Sequence, residues 1–285
     1  METLFHYCPT STFHSIIQNS SIWLSSLSLS NDRLEGRLIS KALGKLAQRD
    51  DVTPDRIAQL EAEIRNIEDT YDGLGFCLSE DGDLLSQWRA YAADASGLSI
   101  GFDRGYLERA VGDAEGPEYR HLALDKVVYS EPEHLTLLED MYQRVRGRYR
   151  EAGSSAAAEA DAAPWIAAGA ADDQGWMRDI ADPLYWELFR FIPTLYLLKS
   201  AAFREEREWR LHTIRTRGIT GAYAHRPDRN RLVPYLKFLL APECQPITTV
   251  VLGPKHTSDP IDVGAFLRTH GFNRVDVVRS EASYQ

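Results

Sequence analysis

Apolar side chains recur along this chain with two spacings, and each spacing predicts one type of element. Spacings of three and four residues mark the faces of two helices: Phe13, Ile16 and Ile17, then Ile57, Leu60, Ile64 and Ile67. Thr10 or Ser11 is expected to cap the first helix, and Thr53 with Pro54 to begin the second.

Alternating segments and short apolar runs predict strands. They cover residues 3–8, 22–24, 74–79, 97–103, 125–130, 208–214, 233–239, 247–252 and 274–279. Further helices are predicted at 132–150 and 261–270. Strands and helices follow one another irregularly, and neither a Gly-x-Gly-x-x-Gly nor a Walker loop occurs, which favours an α+β fold over a doubly wound parallel sheet.

The pattern predicts a single domain over residues 1–285, with a mixed or split antiparallel sheet as its core. Two insertions are expected: a helical one at about 35–72 and an Ala-rich, variable one at about 151–175. The second is typical of a surface segment with little part in chemistry.

Composition excludes several classes of protein. The net charge is −10, with 42 acids against 32 bases, which argues against nucleic-acid binding by phosphate neutralisation alone and leaves room for a local basic pocket. Three scattered cysteines predict reduced, packed thiols rather than disulfides, and no His/Cys cluster has metal spacing. No signal peptide and no run of ~18 apolar residues is present, so a soluble, cytoplasmic protein is expected.

The run Glu206-Arg207-Glu208-Trp209-Arg210 is the first candidate for chemistry. If it enters a strand, both carboxylates lie on one face, because side chains alternate, and such a pair can stabilise positive charge. The alternative is a solvated strand edge whose acids pair with neighbouring arginines. In either case Trp209 is expected in the core and Arg210 as a partner of Glu208.

Further candidates are spread along the chain. His6 is expected to share a strand face with Leu4, where it would line a cleft or be a satisfied core histidine. Asn31-Asp32 would cap a helix that runs to about Gln48, or line the same cleft. Trp88, Arg89 and Tyr91 would share one helix: Trp88 is expected to pack in the core, and Arg89 to meet a phosphate or pair with an acid.

Nine short segments, in order, resemble the bacterial family known as domain of unknown function 2971. They are His6-Tyr7, Trp23-Leu24-Ser25, Asn31-Asp32, Phe76-Cys77-Leu78-Ser79, Trp88 with Tyr91, Gly97 to Phe102, Lys126-Val127-Val128-Tyr129, Glu206 to Arg210, and Leu252-Gly253-Pro254. The Ala-rich stretch lies outside this pattern. The resemblance implies no activity, because the family has none assigned.

The opening His-Tyr strand and short helix also look like the start of ADP-ribosyltransferases that pair an N-terminal histidine with a distant glutamate. That similarity implies a protein that takes NAD as its substrate and needs no metal. His6 would hold the ribose, with Tyr7, Asn31, Asp32, Ser79, Arg89 and Arg210 as further substrate contacts. Tyr91 or Trp88 would stack on nicotinamide, Glu208 would be catalytic, and Glu206 would act on the acceptor.

Several functions stay open at this stage. The favoured hypothesis is ADP-ribosyl transfer to a protein or nucleic-acid acceptor, as in a bacterial toxin or antiphage defence effector, with a partner protein as a regulator. One alternative is a metal-independent nuclease or nucleotide hydrolase that uses His6 with Glu206 and Glu208. The other is a non-catalytic domain that binds a nucleotide.

Overall fold

A computed structural model describes residues 2–29, 35–50, 52–119, 121–151, 191–219 and 223–284, and the chain divides into two compact units. The first unit comprises Met1–Asn31, Asp72–Val127 and Ser200–Gln285; the second comprises Asp32–Tyr71 and Val128–Lys199. The single-domain organisation stays a prediction. Beyond residue 151, the predicted Ala-rich insertion lies outside the described residues.

A sheet of ten described strands forms the body of the first unit and confirms the α+β prediction. The strands are β1 (Thr3–Cys8), β2 (Ser21–Ser26), β3 (Tyr71–Ser79), β4 (Leu98–Asp103), β5 (Ala123–Lys126), β6 (Glu208–Thr216), β7 (Tyr223–Asp228), β8 (Arg231–Leu239), β9 (Ile247–Leu252) and β10 (Asp276–Arg279). Their order is β10-β9-β4-β1-β3-β2-β8-β7, and β6 pairs with both β3 and β5. The sheet is mostly antiparallel, with β10 and β9 parallel.

Three helices of the first unit cover one side of this sheet, which we call the core face. They are α1 (Thr10–Asn19), α5 (Arg104–Gly112) and α8 (Pro260–Thr269), and the fourth described helix of this unit is α4 (Leu85–Tyr91). The apolar stripes of α1, α5 and α8 join Leu4, Cys8, Leu78 and Ile100 in one buried cluster. The helix α4 belongs to the other side, the second face, where Trp88 packs with Tyr7. The alternation of strand side chains thus sorts the residues of each strand between two environments.

The second unit is built from helices. They are α2 (Glu35–Arg49), α3 (Pro54–Thr70), α6 (Glu131–Glu151) and the short α7 (Ile192–Leu195). The helix α2 packs against α6, and Arg49 of α2 forms a two-pronged ion pair with Glu139 of α6. The ionic contact is exposed, so the apolar faces supply most of the stabilisation.

Several predicted boundaries were wrong. Pro9, rather than Thr10 or Ser11, occupies the N-cap of α1. The strand predicted at 125–130 spans Ala123–Lys126, and β7 was not predicted at all. Proline and charged residues in β7 replace the alternating apolar pattern. The strand tolerates them because it lies at the edge of the sheet.

Besides β6, the central strand β3 pairs with two neighbours at different points along its length. Phe5 of β1 pairs with Ser79, whereas Ser25 of β2 pairs with Gly75. Between these pairings β1 and β2 diverge, in keeping with the predicted split sheet. None of the described helices is long and apolar enough to cross a membrane.

Candidate functional site

His6 fills the place where β1 and β2 diverge. Its Nδ1 donates a hydrogen bond to the carbonyl oxygen of Cys77 at 2.9 Å, and its ring stacks on Phe76 with centroids 4.0 Å apart. A carbonyl can only accept, so Nδ1 carries the proton and Nε2 is the acceptor nitrogen. The histidine therefore completes the hydrogen bonding of the central strand and shares the core face with Leu4, as predicted.

Burial lowers the pKa of His6 from 6.5 to about 4, and the hydrogen bond to Cys77 offsets part of this effect. The cause is desolvation, which disfavours the charged imidazolium. At neutral pH His6 is a neutral donor. It is suited to holding β1 against β3, and it lacks the charge that would attract a phosphate.

Tyr7 projects from the second face and ties β1 to the loop after β3. Its hydroxyl donates to the carbonyl of Asp81 at 2.9 Å and accepts from the amide of Leu84 at 2.8 Å. Burial raises the pKa of this hydroxyl. Trp88, fully buried as expected, meets the Tyr7 ring edge-on and donates from its indole to Asp83 at 2.7 Å.

Asp83 is a connection that the sequence did not reveal. Besides the Trp88 indole, its carboxylate accepts from the hydroxyl of Ser280 and from the amide of Glu281 at 2.7 Å. It thereby anchors the segment after β10 on α4. An acid in the loop 80–83 gives no local signal of a partner nearly 200 positions away.

Ser79, Tyr91 and Glu206 converge on the second face. The Ser79 hydroxyl donates to the backbone carbonyl of Glu206 at 2.8 Å, and the Tyr91 hydroxyl donates to its Oε1 at 3.4 Å. Glu206 is buried, whereas Tyr91 is 40% exposed. A carboxylate beside a partly open aromatic ring is the arrangement in which a ring-bearing ligand can stack close to a negative charge.

Glu208 and Arg210 form a buried ion pair on β6. The Nε of Arg210 donates to Glu208 Oε1 at 2.8 Å and its Nη2 to Oε2 at 3.3 Å. Arg210 is only 2% exposed, so the pair needs these mutual bonds to offset the loss of hydration. The expected partnership of Arg210 with Glu208 is therefore present, and Glu208 is largely neutralised by it.

The two glutamates do not share a strand, contrary to the prediction. Glu206 ends a 3₁₀ turn (Ala201–Glu206), and Arg207 then adopts a left-handed conformation with φ 42° before β6 begins at Glu208. The left-handed conformation lies outside the extended region, so it interrupts the alternation of a strand. The carboxylates are thus presented by different elements, although Glu208 and the Ser79 that binds Glu206 both belong to the second face.

His6 and Glu208 lie on opposite faces of the sheet. Trp209 and Leu211 pack with the core cluster that also holds Leu4, so the alternating Glu208 points to the second face. The distant histidine and glutamate of the sequence hypothesis are therefore not brought together. Among the predicted residues of the second face are Tyr7, Ser79, Tyr91, Glu206 and Glu208; we call these five the second-face site.

The remaining predicted residues have other surroundings. Arg89 is exposed, with its guanidinium 5.8 Å from the ring centre of Tyr284, and Asn31 and Asp32 lie outside the described residues. Of the three cysteines only Cys8 is buried, so the prediction of packed thiols was wrong for Cys77 and Cys244, which are exposed. Cys77 departs from it because it alternates with the buried Phe76 and Leu78 and faces the second side of the sheet.

A strained turn follows α4. Ala93, Asp94 and Ala95 have φ values of 47°, 52° and 69°, a conformation that costs non-glycine residues energy. Lys255 compensates by bonding to Asp94 at 3.0 Å, and its amide donates to the Ala95 carbonyl. Alanine carries no sequence signal for this conformation. Within the described part of the chain no group of His, Cys, Asp and Glu side chains could hold a metal ion.

Residues 87–211 match the model of a family described as a protein of unknown function, DUF2971. The resemblance seen in the sequence is therefore confirmed, and the matched stretch includes Tyr91, Glu206, Glu208 and Arg210. Comparison with curated proteins and with solved structures gave no match.

Proposed function

We propose that the protein is an ADP-ribosyltransferase-like enzyme that cleaves the glycosidic bond of NAD at the second-face site. The observation that carries the proposal is the contact of the partly exposed Tyr91 with the buried carboxylate of Glu206. In this arrangement the Tyr91 ring stacks on nicotinamide, and the acceptor of ADP-ribose is a macromolecule in the cytoplasm.

The chemistry assigns a role to each group. Departure of nicotinamide builds positive charge on the ribose, and a fixed carboxylate close by lowers that barrier. Glu206 is assigned this role because its carboxylate contacts the hydroxyl of Tyr91, beside the ring on which nicotinamide would stack. Ser79 positions Glu206 through its backbone carbonyl. His6 positions β3 and touches no reacting atom.

Release of nicotinamide from NAD, followed by chromatography, tests the proposal. Glu206→Gln should lower the rate by about 100-fold or more, the usual loss when one charge-stabilising group is removed. Glu205→Gln is the matched control, because Glu205 is adjacent in sequence but exposed. Equal rates for wild type and Glu206→Gln would contradict the assignment of Glu206. If the folded wild type released no nicotinamide, the proposed enzymatic activity would be contradicted.

The Glu208–Arg210 pair favours a second candidate, a domain that binds a nucleotide without turnover. A neutralised, buried carboxylate stabilises a fold more readily than it drives bond cleavage. In that case NAD should raise the Tm and be recovered intact. Tyr91→Ala should reduce this shift, whereas Glu206→Gln should leave most of it.

A further inference from the structure

The same face of the sheet carries an aromatic pair on the strands beyond β3. Trp23 of β2 and Tyr235 of β8 stack with ring centres 4.3 Å apart and planes 21° from parallel. They are diagonal neighbours, since Tyr235 lies opposite Ser25 in the register of the two strands. Both rings are half-buried, so they form a firm platform with surface left for a ligand.

Basic residues lie on the same face as this pair. The hairpin of β7 and β8 has four Lys and Arg residues and a single acid, Asp228, in a chain whose acids outnumber its bases by 42 to 32. By register Arg226, Arg231 and Lys237 share the face of Tyr235, and Arg229 lies in the turn. We call Trp23, Tyr235 and these four cations the aromatic–basic surface.

Only one carboxylate of the hairpin opposes these charges. Asp228 binds Arg231, with Oδ2 3.1 Å from Nε and 2.9 Å from Nη2. Arg226 and Arg229 add to the field that lowers the pKa of Asp228, after the hydrogen bond from Arg231. An excess of positive charge therefore remains on the hairpin.

We infer that the aromatic–basic surface binds single-stranded nucleic acid. Unpaired bases stack on aromatic side chains whatever their sequence, and closely spaced cations follow the phosphates beside them. Both features occur here on one sheet face, and the net charge of the whole chain makes a local patch the only electrostatic route to such a ligand. The inference concerns binding and does not depend on the proposed NAD chemistry.

A second copy of the chain fits this face less well. β7 lies at the edge of the sheet, but Pro227 lacks an amide donor and the neighbouring charges oppose edge-to-edge pairing. Two copies would also bring their arginine clusters together. Nucleic acid instead complements the charge and uses the stacked rings.

The surface lies close to the second-face site. Gly75, Ser25 and Tyr235 are directly opposite one another across β3, β2 and β8, which places β8 about 10 Å from β3 at the usual strand spacing. A single-stranded nucleic acid bound on the aromatic–basic surface therefore passes within a few nucleotides of the second-face site.

Fluorescence anisotropy with the full-length protein and a labelled oligothymidine of about 20 nucleotides tests the inference. Binding should weaken about 100-fold between about 20 and about 200 mM salt if three phosphates are contacted. Arg226→Glu and Lys237→Glu should each weaken binding several-fold, and Trp23→Ala by at least about fivefold through lost stacking. Arg274→Glu, an equal charge change at an exposed residue beside β10, should have less effect.

Two companion measurements make the outcome decisive. Circular dichroism of each variant separates lost binding from lost folding, and the exposed Lys237→Glu carries the test if Trp23→Ala unfolds. Oligouridine of the same length should bind similarly, and a duplex more weakly because its bases are already stacked. No binding at low salt, or equal losses for Lys237→Glu and Arg274→Glu, would overturn the inference. A dimer that Lys237→Glu dissociates, without oligonucleotide binding, would overturn it in favour of self-association.

Discussion

Replacing His6 by phenylalanine would remove the hydrogen bond to the central strand and keep an aromatic ring against Phe76. The Cys77 carbonyl would lose the donor that now lies 2.9 Å away. Loss of one hydrogen bond of this kind costs about 1 kcal/mol. At pH 7.5 or so, well above the histidine pKa, we therefore expect His6→Phe to be less stable than wild type by about this amount.

The sign of this difference should change with pH. The pKa of His6 falls from 6.5 to about 4 on folding, so the unfolded chain binds the extra proton first. The stabilisation due to neutral His6 is complete above pH 6.5 and is lost as the pH falls towards 4. The shift corresponds to about 3 kcal/mol, and we take about 2 kcal/mol because the ring is half-buried rather than enclosed. Near pH 4.5 the free energy that wild type has lost on acidification should equal or exceed the cost of removing the hydrogen bond. The variant should therefore be at least as stable as wild type at that pH.

Urea unfolding followed by circular dichroism, at a series of pH values, measures both effects. All other titrating groups are common to the two proteins, so the difference between their free energies of unfolding isolates His6. His225→Phe is the control, since it makes the same replacement at an exposed histidine and should change the free energy of unfolding little. A His6→Phe deficit that stays constant or grows on acidification would refute the reasoning.

Two further predictions concern packing beside the site. Glu208→Gln should lower the free energy of unfolding by about 3 kcal/mol, because a buried guanidinium loses its carboxylate, and adding Arg210→Met should cost less than the sum of the single changes. Denaturation of the four proteins measures this coupling, and additive losses would contradict a direct pair. Gly253→Ala would place Cβ 2.4 Å from the carbonyl oxygen of Ala95 and should lower the Tm by several degrees, about 2 kcal/mol. Gly112→Ala is the control, because no described atom lies within 4 Å of the added carbon; it should be neutral or stabilising by up to about 1 kcal/mol in a helix. Equal Tm values for the Gly253→Ala and Gly112→Ala variants would contradict the expected clash at Gly253.

The Gly253 case also explains part of the family resemblance. The Gly253 amide donates to the Gly97 carbonyl at 3.0 Å, and a side chain at either position would meet backbone oxygen. The Gly-x-x-Ile-Gly-Phe and Leu-Gly-Pro segments are therefore held together by a close backbone approach. Their first role is structural, and it fixes the strained turn after α4.

Local pattern was enough to predict most elements, because helix and strand periodicity are properties of neighbouring residues. The helix α8 and the strands β1, β2 and β9 lie within a few residues of their predicted positions, and His6 shares a face with Leu4 as alternation requires. The resemblance to the family likewise follows from short segments in order. The edge strand β7 was not predicted, because proline and charged residues replace apolar alternation where one edge of the strand faces solvent.

The site was decided by tertiary structure. The sequence could place His6 on one strand and Glu208 at the start of another, but which faces they occupy depends on pairings between strands that are distant in sequence. A single left-handed residue, Arg207, removed Glu206 from the strand that the spacing had assigned to it. The Tyr91–Glu206 contact and the Trp23–Tyr235 stack likewise join residues 115 and 212 positions apart. Such contacts arise from register and chain direction, which are set by the packing of the whole sheet and leave no periodic trace in the sequence.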